Sequence, residues 1–410
     1  MDPLRNPYTP NAGAMPAVLA GRADELLAFE VLLARLRAGR TEQSLIVTGL
    51  RGVGKTVLLE EFRKRAVGEG WVALEAEVSK STDFGPRMAM LTRRGLLQIS
   101  PRARWDDRMR KAAGVLRSFT VTMGPDGSLS AGLDVDAQPG LADSGNLAED
   151  LTDVLVALGE VAKEKGTGVV FLFDEMQFLS RQELEALVAG LHKTVQRALP
   201  ITLVGAGLPL IPELTGEAKS YSERLFKFPS IGHLVGVEAI AALVGPAQEE
   251  GADFDPEVVE HILEYTDGYP YFIQEYGKFV WEAAPHSPIT LQDALDAEPA
   301  IEDHLDASFF RVRADRSTDA ELRYLRAMAE MGAGPHKAHD VAGMLGSTSE
   351  QQGPMRARLI SKGLLFSPGY GLAAFTVPQF DRFMRRCYPD LLSLPPNKAR
   401  PAQRRRRGGV

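Results

Sequence analysis

The sequence predicts an α/β fold, a parallel sheet flanked by helices and followed by helical units. Five short runs of apolar, β-branched and aromatic residues predict the sheet: SLIVTG (44–49), WVALEAEV (71–78), GVVFLFDE (168–175), ITLVGAG (201–207) and LFKFPSI (225–231). Each is separated from the next by helical sequence, which is the pattern of a parallel sheet wrapped by crossover helices. Over 237–284 the apolar spacing is entirely helical, and strand-like sequence returns only in LLFSPGYGLAAFTVP near the C-terminus.

At 410 residues the chain exceeds what one hydrophobic core serves, which implies two or three domains. Its 44% apolar and 25% charged content are ordinary for a globular protein. A net charge of -7 argues against general coating of nucleic acid and leaves room for a local basic site. The single cysteine, Cys387, excludes an internal disulfide framework and fits a reducing cytosol. No basic-apolar-small leader opens the sequence, and no apolar run approaches the roughly 20 residues of a membrane helix. The expected location is therefore cytoplasmic, with no membrane partner. The tail NKARPAQRRRRGGV (397–410) carries Lys398, Arg400, Arg404, Arg405, Arg406 and Arg407 without an acid. Its composition predicts disorder over 391–410, serving either as a basic arm for polyanions or as a solubilising end.

After an irregular proline-rich start, 22–37 reads as an amphipathic helix with Leu26, Leu27, Val31, Leu32 and Leu36 inward. The stretch 79–165 is long for one crossover. It reads as an insertion (about 81–146) decorating the sheet, with helices at about 84–99 and 104–117. A hairpin over SFTVTMGPDGSLSAGLDVD (118–136) turns at Gly-Pro-Asp-Gly, and a helix starts at Leu147. This places an α/β core at 1–235. A helical unit and connector follow at 236–316, broken at Asp267-Gly268-Tyr269-Pro270, where glycine ends one helix and proline opens the next. In 317–390 the capping box Thr318-x-x-Glu321 opens the first of three helices, and a hairpin follows them. Three helices and a hairpin are the layout of a winged helix.

Gly49-Leu50-Arg51-Gly52-Val53-Gly54-Lys55-Thr56 matches G-x-x-x-x-G-K-[ST] between a strand and a helix. Glycines let successive backbone N–H groups curl around a phosphate, and the helix start, from Thr56 into Val57, adds a positive dipole end. Lys55 supplies a charge to the β- and γ-phosphates, and the Thr56 hydroxyl is a Mg²⁺ ligand. The strand VVFLFDEMQ ends in Asp174-Glu175, acids that are costly there without a cation or hydrogen bonds. Asp174 is the expected metal ligand, and Glu175 the group that deprotonates an attacking water. Read alone, the pair is also a helix N-cap. The expected cofactors are ATP and Mg²⁺.

With these residues the sequence resembles the P-loop ATPases of the AAA+/STAND type, particularly the prokaryotic branch similar to origin-recognition ATPases, over roughly 6–386. VLAGRADEL (18–26) resembles the box before that family's first strand. The resemblance implies Val18 and Leu19 near the adenine and Arg22 near the nucleotide or a domain junction. YSERLFKF (221–228) resembles the Ser-x-x-Arg segment before the fifth strand, which makes Arg224 the expected γ-phosphate-sensing or neighbour-reaching arginine. DGYP (267–270) matches the Gly-x-Pro of the STAND helical lid, which brings Pro270 to the nucleotide. The chain departs from the family at the end of the fourth strand, where a polar sensor is usual and Gly205-Ala206-Gly207 stands; Thr202 lies too early to replace it. No lid arginine accompanies Gly-x-Pro, and Lys278 is the nearest base. Both absences suit a slow switch better than a motor.

In the C-terminal unit the third helix, PMRARLISK (354–362), offers Arg356, Arg358 and Lys362 to phosphates or bases, with Met355, Leu359 and Ile360 inward. His336 and His339 read as solvent-facing side chains rather than metal ligands. The preferred function is Mg-dependent ATP binding and slow hydrolysis, a nucleotide-controlled switch that regulates a DNA or protein partner. Its rivals are a DNA-binding regulator or loader with structural ATP, and a signalling or defence scaffold that forms a homo-oligomer through ATP.

Overall fold

The computed structural model describes residues 1–81, 83–101, 105–123, 135–219 and 222–393, which form two compact units. One comprises Asn11–Met15 and Leu19–Leu234. The other comprises Met1–Pro10, Pro16–Val18 and the described residues from Val235 onward.

The first unit runs α1 (Ala23–Arg37), β1 (Ser44–Thr48), α2 (Lys55–Gly68), β2 (Val72–Glu77), α3 (Phe84–Ile99), α4 (Asp107–Met123), α5 (Leu147–Glu164), β3 (Val169–Asp174), α6 (Arg181–Gln196), β4 (Ile201–Gly207), α7 (Ile211–Ala218), α8 (Ser222–Leu225) and β5 (Phe226–Lys227). The five strands are parallel in the order β2-β3-β4-β1-β5. β1 and β4 are buried throughout and β3 up to Asp174, whereas the edge strand β2 exposes Glu75 and Glu77. Inner strands covered by helices on both faces must be apolar on both. This is the parallel sheet flanked by helices of the expected P-loop class.

Three local expectations change. Helix α1 buries Phe29, Leu32, Leu33 and Leu36, while Leu27 and Val31 are 59% and 44% exposed. The inward stripe is rotated toward Phe29, whose ring packs 4.6 Å from that of Phe62 on α2. Residues 118–123 are the last turns of α4 rather than the first strand of a hairpin. Leu116, Phe119 and Thr120 are buried while Val121 is half exposed, a helical spacing that overrides the short alternation. Residues 124–134 of the expected hairpin lie outside the described residues, and 135–136 are not in a strand. The segment expected to decorate the sheet instead shares its core, since Phe84, Met88, Met109 and Phe119 pack in one cluster with Phe171 and Phe173.

The second unit runs α9 (Gly236–Glu249), α10 (Pro256–Thr266), α11 (Pro270–Ala283), α12 (Leu291–His304), a π-helical turn (Leu305–Phe310), α13 (Arg311–Ala314), α14 (Asp319–Glu330), β6 (His336–Lys337), α15 (Ala338–Met344), α16 (Ser349–Ser361), β7 (Leu365–Phe366), β8 (Leu372–Phe375) and α17 (Phe380–Cys387). Asp267 and Gly268 both take positive φ (51° and 62°), which ends α10, and Pro270 opens α11. β8 pairs antiparallel with β6 and β7. Thr318 and Glu321 form the predicted capping box. The guanidinium of Arg386 on α17 donates to both carboxylate oxygens of Asp306 in the π-helical turn (2.6 and 3.0 Å). Among the described residues no helix is long and apolar enough to cross a membrane.

Gly168, just before β3, tests this packing. A Cβ there would lie 2.2–2.5 Å from three ring atoms of the buried Trp71. Gly168→Ala is expected to destabilise the protein by about 1–3 kcal/mol through overpacking, read as a lowered midpoint in chemical denaturation.

Candidate functional site

The loop 49–54 joins β1 to α2, and its glycines answer local demands. A Cβ on Gly49 would sit 2.5 Å from the carbonyl oxygen of Ile231. Gly52 and Gly54 take φ of 84° and 93°, and Gly54 is the N-cap of α2. Lys55, only 8% exposed, folds back so that Nζ donates to the carbonyls of Gly49 (3.0 Å) and Leu50 (2.7 Å). Burial lowers its pKa from 10.5 to about 8, against the opposing pull of the Glu175 and Asp174 carboxylates. The next residue, Thr56, donates its hydroxyl to Asp174 Oδ2 at 2.6 Å. The two side chains expected to hold a metal, one on α2 and one at the end of β3, thus meet directly.

Asp174 also accepts the backbone N–H of Glu175 at 2.8 Å through Oδ1. Glu175 itself is in the left-handed region (φ 55°, ψ 38°), sparsely populated for a residue with a side chain. Among the described residues no group of three or more His, Cys, Asp or Glu is arranged to hold a metal ion. Thr56 and Asp174 fit a Mg²⁺ that takes most of its octahedral shell from phosphate and water, as this hard, strongly hydrated ion commonly does.

Arg22, 6% exposed, braces the loop from behind. Its guanidinium donates to the carbonyls of Gly21 (2.6 Å), Val53 (2.9 Å) and Gly232 (3.1 Å). It therefore joins the segment before α1, the phosphate loop and the chain after β5. That chain runs beside β1, where the N–H of Thr48 donates to the Pro229 carbonyl and the N–H of Ile231 to the Thr48 carbonyl, at 2.8 Å each. Residues Asn11–Met15 belong to this unit as well, and a Cβ on Gly13 would stand 3.7 Å from Thr56 Cγ2. No sequence signal marked that approach.

Residues 18–204 match the family model described as AAA ATPase domain, and residues 307–384 match a domain of unknown function (DUF8462). Residues 18–204 are an AAA ATPase domain. No curated protein matches the chain. Similar solved structures include the Orc1 protein of Aeropyrum pernix in complex with DNA (16% identity, 90% of this chain and 94% of that one, TM-score 0.43). They also include the RuvB Holliday junction branch migration motor of Thermotoga maritima (14% identity, 88% and 94%, TM-score 0.45) and Cdc6p from Pyrobaculum aerophilum (14%, 96% and 98%, TM-score 0.44).

The AAA ATPase domain brings Lys55, Thr56, Asp174 and Glu175 to one edge of the sheet, with Arg22 behind the loop. Val18 packs beneath Gly245 on α9 (3.1 Å to a Cβ there), and Pro270 stands at the start of α11; both belong to the second unit. Arg224 is exposed on the single-turn α8, C-terminal to the AAA ATPase domain. Thr202 is at the far end of β4 from Gly207, where its hydroxyl lies 2.9 Å from that of Ser44. Sequence reasoning passed over Gln177, on the turn after β3, whose side chain contacts both Glu175 and the backbone of Leu208.

Lys55 carries a prediction of its own. Between pH 8 and 10.5 the unfolded chain holds a proton on this side chain that the folded chain has lost, so folding stability rises with pH across that window. Relative to Lys55→Met, the wild-type protein is expected to gain on the order of 2–3 kcal/mol between about pH 7 and pH 10.5 in urea denaturation, with an equal pH response in both proteins contradicting the buried ammonium.

Proposed function

We propose that this chain binds ATP with Mg²⁺ on the phosphate loop of its AAA ATPase domain and hydrolyses it slowly, as a conformational switch of the origin-recognition-like, STAND-related type. The observation that carries this reading is the 2.6 Å contact between Thr56 and Asp174, which joins the two expected Mg²⁺ ligands beside the start of α2. When bound, the cation would neutralise charge on the β- and γ-phosphates. The backbone N–H groups of 49–56 and the Val57 turn would hold the phosphates, with the Lys55 ammonium turning from its own loop carbonyls to them. Val18 and Leu19 would flank the adenine. Glu175 would accept the proton of the attacking water. Pro270, opening α11, would couple the nucleotide to the helical unit as a lid. Exposed Arg224 suits contact with the γ-phosphate of a neighbouring copy better than a role buried in its own site. The lone cysteine fits the reducing environment of a cytoplasmic setting.

In the C-terminal unit the order α14, β6, α15, α16, β7, β8 supports a winged-helix reading. Its third helix is only partly available to DNA. Arg356 donates to Ser367 Oγ (3.0 Å) and the Leu372 carbonyl (2.6 Å), and Lys362 pairs with buried Glu321 at 2.7 Å. Arg358 is exposed. These internal contacts favour a protein partner for this face, and the basic tail that would favour DNA lies outside the described residues.

Lys55→Ala is expected to abolish phosphate release, and Glu175→Gln to lower kcat about a hundredfold or more while ATP binding survives. Phosphate release that is independent of Lys55 would remove the enzyme reading. ATP-dependent mass in solution that is lost in Arg224→Ala is the expected signature of the neighbour-reaching role.

A further inference from the structure

We infer that Gln177 is a positioning residue for Glu175, occupying the place where β4 presents no side chain of its own; the inference rests on the ATPase reading above. The first observation is steric. A Cβ on Gly205 would lie 2.0 Å from Met176 Sδ, and one on Gly207 would lie 2.8 Å from Gln177 Oε1 and 2.9 Å from Ile211. On the face of β4 that carries positions 205 and 207, the space is taken by the Met176 and Gln177 side chains of the 3₁₀ turn Met176–Phe178 and by Ile211. The missing polar residue of β4 is thus not an empty position; the turn after β3 fills it with Met176 below and Gln177 above.

The second observation is the orientation of the Gln177 amide. Its Oε1 accepts the backbone N–H of Leu208, one residue beyond β4, at 3.1 Å. Its Nε2 donates to Glu175 Oε2. A backbone N–H only donates and a carboxylate only accepts, so these two partners leave one choice for the amide. The amide therefore ties the Glu175 carboxylate to the end of β4. A primary amide carries two N–H groups, and the second remains for water or a phosphate oxygen beside Glu175. Glu175 holds a left-handed backbone conformation (φ 55°, ψ 38°), and the Gln177 amide fixes where its carboxylate rests. The contacts run from Thr56 through Asp174 and Glu175 to Gln177 and Leu208.

The test is steady-state phosphate release and ATP affinity on the full chain with Mg²⁺, for wild type, Gln177→Leu, Glu175→Gln and the double variant. Gln177→Leu is expected to lower kcat about tenfold or more, with KM and ATP affinity within about threefold and an unchanged melting midpoint. In the Glu175→Gln background the same change should add nothing, because both substitutions remove one arrangement. Gln177→Ala, which empties the position instead of filling it, gives the same split if the leucine variant fails to fold. A kcat within about twofold of wild type, or losses that multiply in the double variant, overturns the inference and leaves the ATPase reading standing. A wild-type protein with no Lys55-dependent phosphate release overturns both.

Discussion

β4 lies between β1 and β3, and the whole site depends on how little it brings there. The register pairs Thr48 with Gly207 and Phe173 with Gly205, so all three strands reach one edge together. Parallel strands place their carboxyl ends on the same side of a sheet, where loops converge and ligands are held. What lets the elements on either side of β4 meet is the pair of glycines at its end. Any side chain at 205 or 207 would strike the turn that follows β3. With that turn lowered onto β4, Asp174 from one neighbour of β4 reaches Thr56 from beyond the other.

Charge is arranged around this edge with equal economy. An ammonium as deeply buried as that of Lys55 is costly without partners, and the carbonyls of Gly49 and Leu50 supply them. Arg22 does the same work on the other side of the loop, donating to the carbonyls of Val53 and Gly232. The loop is therefore held by cations from within and from behind, and the N–H of Gly49 ties its start to the carbonyl of Gly207 at 3.1 Å. A helix start behind a glycine-rich loop is, in general, a favourable place for an anion.

The phosphate loop was legible because its demands are local. Glycine at 52 and 54 answers positive φ, and Lys55-Thr56 follows within the same turn. Strands β1, β3 and β4 were legible because burial on both faces leaves unbroken apolar runs. Six residues at the end of α4 were misread because a helical and an alternating spacing barely differ over so short a stretch. The rest depended on partners distant in sequence. Gln177 meets Leu208 31 positions away, and Arg22 meets Gly232 across 210. Arg356 and Lys362 looked like free bases on one helix, yet Ser367, Leu372 and Glu321 engage them, and nothing in their own segment announces it.

Four successive residues, from the last of β3 onward, each face a different partner. Asp174 meets Thr56, Glu175 meets Gln177, Met176 fills the hollow over Gly205, and Gln177 meets Leu208. A segment so fully assigned has no slack: inserting or deleting one residue would put every one of these groups out of step at once. By this packing the turn accommodates substitution rather than a change of length, and Met176 only in concert with Gly205 beneath it. In a divergent family such indel-intolerant turns mark where to align sequences first.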